Sequence, residues 1–250
     1  MIEPVSTSIA PGVTVMTVNV GNGLAPDDQV LGALRESDAD IIGIEELNRR
    51  QALIVEEGLG DAYPYSAFFG DSYEGRGLLS RFPIRSADLV HIIADRPDVL
   101  AVVDIGPLLL TVIVGHPRPQ ELKGGRVKFR TASLRQILQL GRLAQQEFPA
   151  VLVGDFNMSP RHPGYARFEK LGLTDAFAVG GTGRGWTFPI RLGIAGADPS
   201  QKRIVPAFPV KRFDHIWHTP DLRTERAWIG PDAGSDHASV VARILLPEER

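Results

Sequence analysis

The sequence has 250 residues, 43% hydrophobic and 23% charged, with a formal net charge of −3, a globular composition with ample apolar side chain for a core, which excludes a disordered chain. It contains no cysteine, which excludes disulfides, thiolate zinc sites and a cysteine nucleophile but leaves the compartment open. A pI of about 6.1 lacks the basic excess, above about 9, of an extended nucleic-acid surface.

Residues 1–11 read as a flexible lead-in. No basic region followed by an apolar run stands at the N-terminus, so no signal peptide is expected. Val13–Val20 is β-branched and reads as a strand, ending at Asn19 where a Gly21-Asn22-Gly23 turn begins. Pro26-Asp27-Asp28 opens a helix with Val30, Leu31 and Leu34 at helical spacing, and Ile41–Ile44 is a short buried strand running into Glu45 and Glu46. Strands are predicted at Tyr65–Phe68, Gly77–Ser80, Ala87–Ile93, Val99–Ile105 and Leu108–Val114. The most apolar stretch, Val99–Val114, is broken by Asp104 and Pro107 and is two strands rather than a membrane span. A long amphipathic helix at Phe129–Glu147 precedes the strand Ala150–Val153 and a short helix at Pro163–Leu171. Gly180–Pro209, rich in Gly and Pro, is a substrate-facing loop, and the last strands lie at His215–His218 and Ala238–Leu245. Strands first joined by short turns and later alternating with helices predict one domain, a four-layer α/β/β/α sandwich of two mixed sheets flanked by helices.

The sharpest local signal is Val151-Leu152-Val153-Gly154-Asp155-Phe156-Asn157, an apolar strand, a turning glycine and a D-x-N pair. Its two polar side chains can converge on one hard cation or one attacking water, although alone the pattern reads equally as an Asx turn. Ser235-Asp236-His237 joins a carboxylate to an imidazole ahead of an apolar strand. Arg212-Phe213-Asp214-His215 places Asp214 at a strand start, where it can hold the ring of His237 in one tautomer or pair with Arg212. Asn19, Glu46 and His116 each follow a predicted strand, where open sheets present catalytic groups.

In this order, Asn19, Glu46, Gly77-Leu78-Leu79-Ser80-Arg81-Phe82-Pro83, His116, Gly154-Asp155-Phe156-Asn157, Arg212-Phe213-Asp214-His215 and Ser235-Asp236-His237 resemble the endonuclease/exonuclease/phosphatase superfamily over nearly the whole chain. The resemblance implies the same sandwich and Mg²⁺ or Mn²⁺, which a set of oxygen donors without cysteine fits independently. It implies that Glu46, with Asn19 and Asp236, holds the metal, and that Asp155 and Asn157 position and deprotonate the attacking water. His116 and His237 would then stabilise charge on the phosphoryl oxygens, with Asp214 orienting His237.

The sequence departs from the abasic-site endonucleases of that superfamily. Gly21 stands where they carry an Asp after the strand-end Asn, and Val114-Gly115-His116-Pro117 replaces the commoner Asn-Thr-His. Gly185-Trp186-Thr187-Phe188-Pro189 looks like a pattern of bacterial members attached to membrane-spanning segments; Trp186 can stack on a base, cover a lipid headgroup, or pin a Gly-rich loop. Arg76 and Arg184 are candidate phosphate clamps. The leading expectation is a metal-dependent hydrolase of a small or lipid phosphate mono- or diester. A nuclease, whose nucleic-acid partner charge does not support, is the alternative, and a binding module with a dead site the minor one. No protein partner is evident, and localisation is open: membrane attachment would depend on residues before Met1.

Overall fold

Strand β1 (Gly12–Asn19) buries both faces. Val13 and Val15 point into one apolar cluster, Met16 and Val18 into another. A strand covered on both sides reads as a continuous apolar run, which is how Val13–Val20 announces itself in the sequence.

The computed structural model describes residues 11–70, 75–93, 95–106, 108–123, 126–128, 130–195 and 202–247. All but the last residue of the expected lead-in lies outside them. After β1 come α1 (Asp27–Glu36), β2 (Ile41–Glu45), α2 (Arg49–Leu59), β3 (Tyr65–Phe69), β4 (Arg76–Ser80), β5 (Ile84–Val90), β6 (Asp98–Asp104) and β7 (Leu109–Val114). A hairpin of β8 (Glu121–Lys123) and β9 (Arg126–Lys128) leads to α3 (Thr131–Gln146), β10 (Ala150–Asp155), α4 (Pro163–Lys170), β11 (Thr174–Asp175) and α5 (Ala176–Gly180). A second hairpin, β12 (Arg191–Ala195) and β13 (Lys202–Pro206), precedes β14 (Asp214–His218), β15 (Arg223–Ile229) and β16 (Val240–Leu245).

Two six-stranded sheets form, in the orders β15-β16-β1-β2-β4-β3 and β11-β14-β10-β7-β6-β5. Each is mixed, with one parallel pair, β1 with β2 and β7 with β10, at its centre. Val13, Val15, Ile41 and Leu78 of the first sheet pack against Val112, Val114, Val151, Val153 and Ile216 of the second. Helices α1 and α2 cover the outer face of the first sheet over Met16, Val18, Ile42 and Ile44, and α3 and α4 cover that of the second over Ile113, Leu152 and Trp217. This is the four-layer α/β/β/α sandwich that the sequence predicts. Each fully buried aliphatic side chain contributes roughly 1.5–3 kcal/mol against its exposed state. The sheets approach closely near the centre: a Cβ on Gly43 would lie 2.5 Å from Cγ2 of Val153.

Several elements differ from expectation. Strand β5 spans 84–90 rather than 87–93; it is an edge strand with a mostly half-exposed pattern, and the apolar Ile92-Ile93 pair drew the expected strand too far. Helix α2 was not foreseen, because its buried positions, Gln51, Ala52, Val55 and Leu59, include a polar residue while Leu53 faces solvent. Strand β15 is another edge, and its RTERAWI sequence carries too few apolar residues to read as a strand. The 180–209 segment expected as a loop contains the β12–β13 hairpin, with 196–201 outside the described residues. Phe129, the expected start of the long helix, also lies outside them. No helix among the described residues is long and apolar enough to cross a membrane.

Candidate active site

The parallel pairs end at the same edge of the sandwich. There β1 delivers Asn19, β2 delivers Glu45 and Glu46, β10 delivers Asp155, and the chain beyond β7 delivers His116. Strands β14 and β16 run antiparallel to β10 and β1, so their starting ends bring in Asp214 and, just ahead of β16, His237. Asn19, His116, Asp155, Asp214 and His237 are all buried.

The turns at this edge require unusual backbone. Gly154 has φ +150°, and a Cβ there would lie 1.8 Å from the carbonyl oxygen of Gly115, so a glycine is needed where β10 passes the end of β7. Glu46 and Asn157 adopt left-handed φ values of 53° and 49°, which turn the chain sharply after each strand. Non-glycine residues held in this region cluster at functional sites.

Asp155 is the hub. Its Oδ1 accepts the backbone N–H of Asn157 at 2.9 Å; its Oδ2 accepts Nδ2 of Asn19 at 3.1 Å. The same Oδ2 lies 3.5 Å from Nε2 of His116 and 3.6 Å from Nε2 of His237. His237 Nδ1 faces the other way, 3.0 Å from Oδ2 of Asp214. Glu46 Oε1 accepts from Asn19 Nδ2 at 3.2 Å and lies 3.6 Å from His116 Nε2. Nδ2 of Asn157 donates to the carbonyl of Pro117 at 3.0 Å, which fixes the side chain.

Charge settles unevenly over this cluster. Burial works against a charged His237, but Asp214 and Asp155, with the Asp214 hydrogen bond, outweigh it and lift the imidazole to about 10. Burial likewise resists a charged Asp155, yet the two histidines and the Asn157 N–H hold its carboxyl well below the usual range. Burial and the nearby Asp155 push Asp214 up, against the pull of His237. Behind the site, burial pushes Asp98 up to about 6 while its Oδ1 accepts the backbone N–H of His116 at 3.2 Å and its Oδ2 accepts Nε2 of Gln136 at 2.8 Å.

Sequence reasoning passed over Glu45. It is fully buried on the inner face of β2, accepts from Oγ1 of Thr17 at 2.9 Å, and leaves Oε2 without a partner. Burial first, then the nearby Asp214, raise its carboxyl well above the ordinary value. Strand parity carried the signal, since Ile41, Gly43 and Glu45 share one face.

Other expected residues sit differently from their assigned roles. Arg76, expected as a phosphate clamp, is 1% exposed. Its Nη2 donates to the carbonyl of His116 and its charge lowers the Glu45 and Asp98 carboxyls, so it counterbalances buried acids rather than meeting solvent. Asn19 directs its amide nitrogen at two carboxylates while its oxygen accepts from the N–H of Gly21 at 2.9 Å, which makes it a bridge between Glu46 and Asp155 in this arrangement. Asp236 is half-buried beside His237, and its carboxylate makes no hydrogen bond to a described residue. Arg184 and Trp186 lie in a neighbouring cleft, the guanidinium stacked on the indole at 4.5 Å. His215 and Arg212 are not at the centre; both engage buried Asp175, Arg212 at 2.8 Å.

The sequence profile of the Endonuclease/Exonuclease/phosphatase family matches residues 16–237. The chain belongs to this family. It is therefore a hydrolase of phosphate esters, in a family that depends on a divalent metal. No curated protein sequence matches significantly. Among solved structures, a family protein from Bacteroides thetaiotaomicron is similar at a TM-score of 0.70 and 18% identity, over 95% of this chain and 99% of that one. A mannosyl-6-phosphatase from the same organism is similar at 0.69 and 19%, over 94% of this chain and 100% of that one. A truncated TDP2 from Caenorhabditis elegans is similar at 0.63 and 16%, over 94% of this chain and 97% of that one.

The residues present fit such a metal. Carboxylate and amide oxygens converge without a thiolate, the donor set of a hard cation. Asp155, Asp214 and His237 offer ligand atoms within 4.8 Å of one another, but the His237 ring is engaged by a carboxylate on each side. The Glu46 side chain is 29% exposed, so solvent reaches it, whereas those of Asp155 and Asp214 are buried.

Proposed function

We propose that the protein hydrolyses a phosphate mono- or diester of a small or lipid molecule (a phospholipid, a lipid pyrophosphate or a small phosphate ester) by direct attack of water, with Mg²⁺ or Mn²⁺ as cofactor. The observation that carries this reading is the convergence of Asn19, His116 and His237 on one oxygen of Asp155 within 3.6 Å. Phosphoryl transfer needs an aligned nucleophile and compensation of negative charge rather than covalent help.

Glu46 would hold the cation, with Asn19 and Asp236 beside it; bound there, the cation supplies positive charge against a phosphate oxygen. Asp155 and Asn157 would position the water. The environment keeps Asp155 ionised and makes it a weak base, so it takes the proton late, as the new P–O bond forms. His237, charged at neutral pH, and His116 would meet the developing charge on the phosphoryl oxygens. Asp214 would hold His237 from behind, by the geometry of an oriented imidazole.

The net charge of −3 argues for a non-polymeric substrate over a nucleic acid. The test is hydrolysis with Mg²⁺ or Mn²⁺, against EDTA and Asp155→Ala controls, of plasmid DNA, RNA, bis-p-nitrophenyl phosphate, sphingomyelin and a lipid pyrophosphate. Metal-dependent turnover of the small or lipid esters, lost in the variant, is the expected result. Cleavage of plasmid or RNA alone would replace this reading with a nuclease, and no turnover on any would favour a binding role.

A further inference from the structure

Next to the proposed catalytic centre lies a cleft of about 460 Å³, within the range of small-molecule sites. Three separate segments put cations into it: Arg161 from the loop after β10, Arg184 from the segment after α5, and Lys211 from the approach to β14. Among the described residues, no carboxylate lines it. Among the described residues, none of the three is ion-paired, whereas Arg212, at its wall, is committed to Asp175 at 2.8 Å. Three uncompensated like charges in one cleft repel one another, and a bound anion relieves the repulsion.

The cleft is preorganised. Trp186 is half-buried and meets Phe208 nearly at right angles with ring centroids 6.0 Å apart, and the Arg184 guanidinium rests 4.5 Å from the indole centroid. Gly185 between them is buried with φ +59°, and a Cβ there would lie 2.3 Å from the ring of Phe177. An arginine held on an indole loses less side-chain freedom on meeting an anion than one moving freely in water.

The cleft also adjoins the reacting centre. Ser159 and Pro160 on its wall follow Asn157 within three residues, and Lys211 also lines a smaller hollow shared with Asn157, Phe188 and Phe213. Phe188 in turn packs, tilted by 41°, against the imidazole of His237 with ring centroids 4.6 Å apart.

We propose that this cleft binds a second anionic group of the substrate, so that the preferred ester carries another phosphate beside the one that is cleaved. Trp186 then serves as the platform that aims Arg184, and Arg161, Arg184 and Lys211 select the substrate. This deepens the proposed function and rests on it for the place of the scissile phosphate.

The test is isothermal titration of the metal-free protein with inorganic pyrophosphate, whose adjoining charges mimic a doubly phosphorylated ligand. Arg184→Ala and Arg161→Ala should each weaken binding at least tenfold, with partial recovery in Arg184→Lys. Arg142→Ala, which removes an exposed cation on α3, should titrate as the wild type does. Asp155→Asn, which removes the proposed chemistry, should keep pyrophosphate binding. Failure of the wild type to hydrolyse any ester would thus sink the proposed function while this titration still reads the cleft. No binding to the wild type, or equal binding by the two alanine variants, would overturn the proposal.

Discussion

Nδ1 of His237 lies 3.0 Å from Oδ2 of Asp214, and the same ring presents Nε2 to Asp155 at 3.6 Å. An imidazole between two buried carboxylates is held as a cation, lifted from its ordinary 6.5 to about 10. A group whose pKa is raised by folding stabilises the fold fully below its unfolded pKa, and that stabilisation is lost as pH rises through the folded one. The metal-free protein should therefore lose stability between about pH 6.5 and 10. Urea unfolding across this window checks it: the wild-type decline should flatten in His237→Gln, and parallel curves would contradict the assignment.

The adjacent glutamates should respond in opposite ways. Burial raises the Glu45 carboxyl well above its ordinary value, and Glu45→Gln, which keeps its shape and its bond to Thr17, should change stability by about 1 kcal/mol or less. Glu46 faces solvent and the histidine, and Glu46→Gln should raise the Mg²⁺ concentration needed for half-maximal activity at least tenfold. Metal titrations of the two variants with bis-p-nitrophenyl phosphate decide this. Equal losses would mean that both carboxylates hold the metal.

Asp155→Ala removes the acceptor shared by Asn19, His116 and His237, and turnover should fall by roughly 10³-fold or more. It stands at the sheet edge, where the site lies, rather than among the apolar side chains between the sheets, so circular dichroism should keep the native signature while the melting transition falls with the loss of a buried charge partner. A folded variant with wild-type turnover would remove Asp155 from the site.

Gly154→Ala should damage the fold rather than the chemistry. Its Cβ would meet the Gly115 carbonyl at 1.8 Å in a backbone conformation that alanine resists, a cost of roughly 3 kcal/mol or more. Denaturant midpoints measure it, and a midpoint near that of the wild type would show that the β7 and β10 ends can separate without penalty.

Much of this architecture was legible in the chain. The central strands are continuous apolar runs because both faces are covered, and the long helix α3 shows a stripe because only one of its faces is buried. The edges were not legible. Strands β5 and β15 bury little, so their sequences carry little pattern, and α2 is fixed by the Asn48 cap and by packing on the sheet rather than by a clean periodicity.

The sequence by itself determined the order of strand-end polar residues, and with it the family, because each of those residues terminates a run whose buried pattern is local. Which oxygen meets which nitrogen was decided only by the tertiary structure. Asn19 and Asp155 are far apart in sequence yet touch at 3.1 Å because two sheets stack face to face, and nothing local encodes that contact. The same packing buried Arg76 behind the site and Glu45 within it, and it gathered Arg161, Arg184 and Lys211 from three segments into one cleft. Side-chain type is written residue by residue; burial and charge environment exist only once distant segments share a surface.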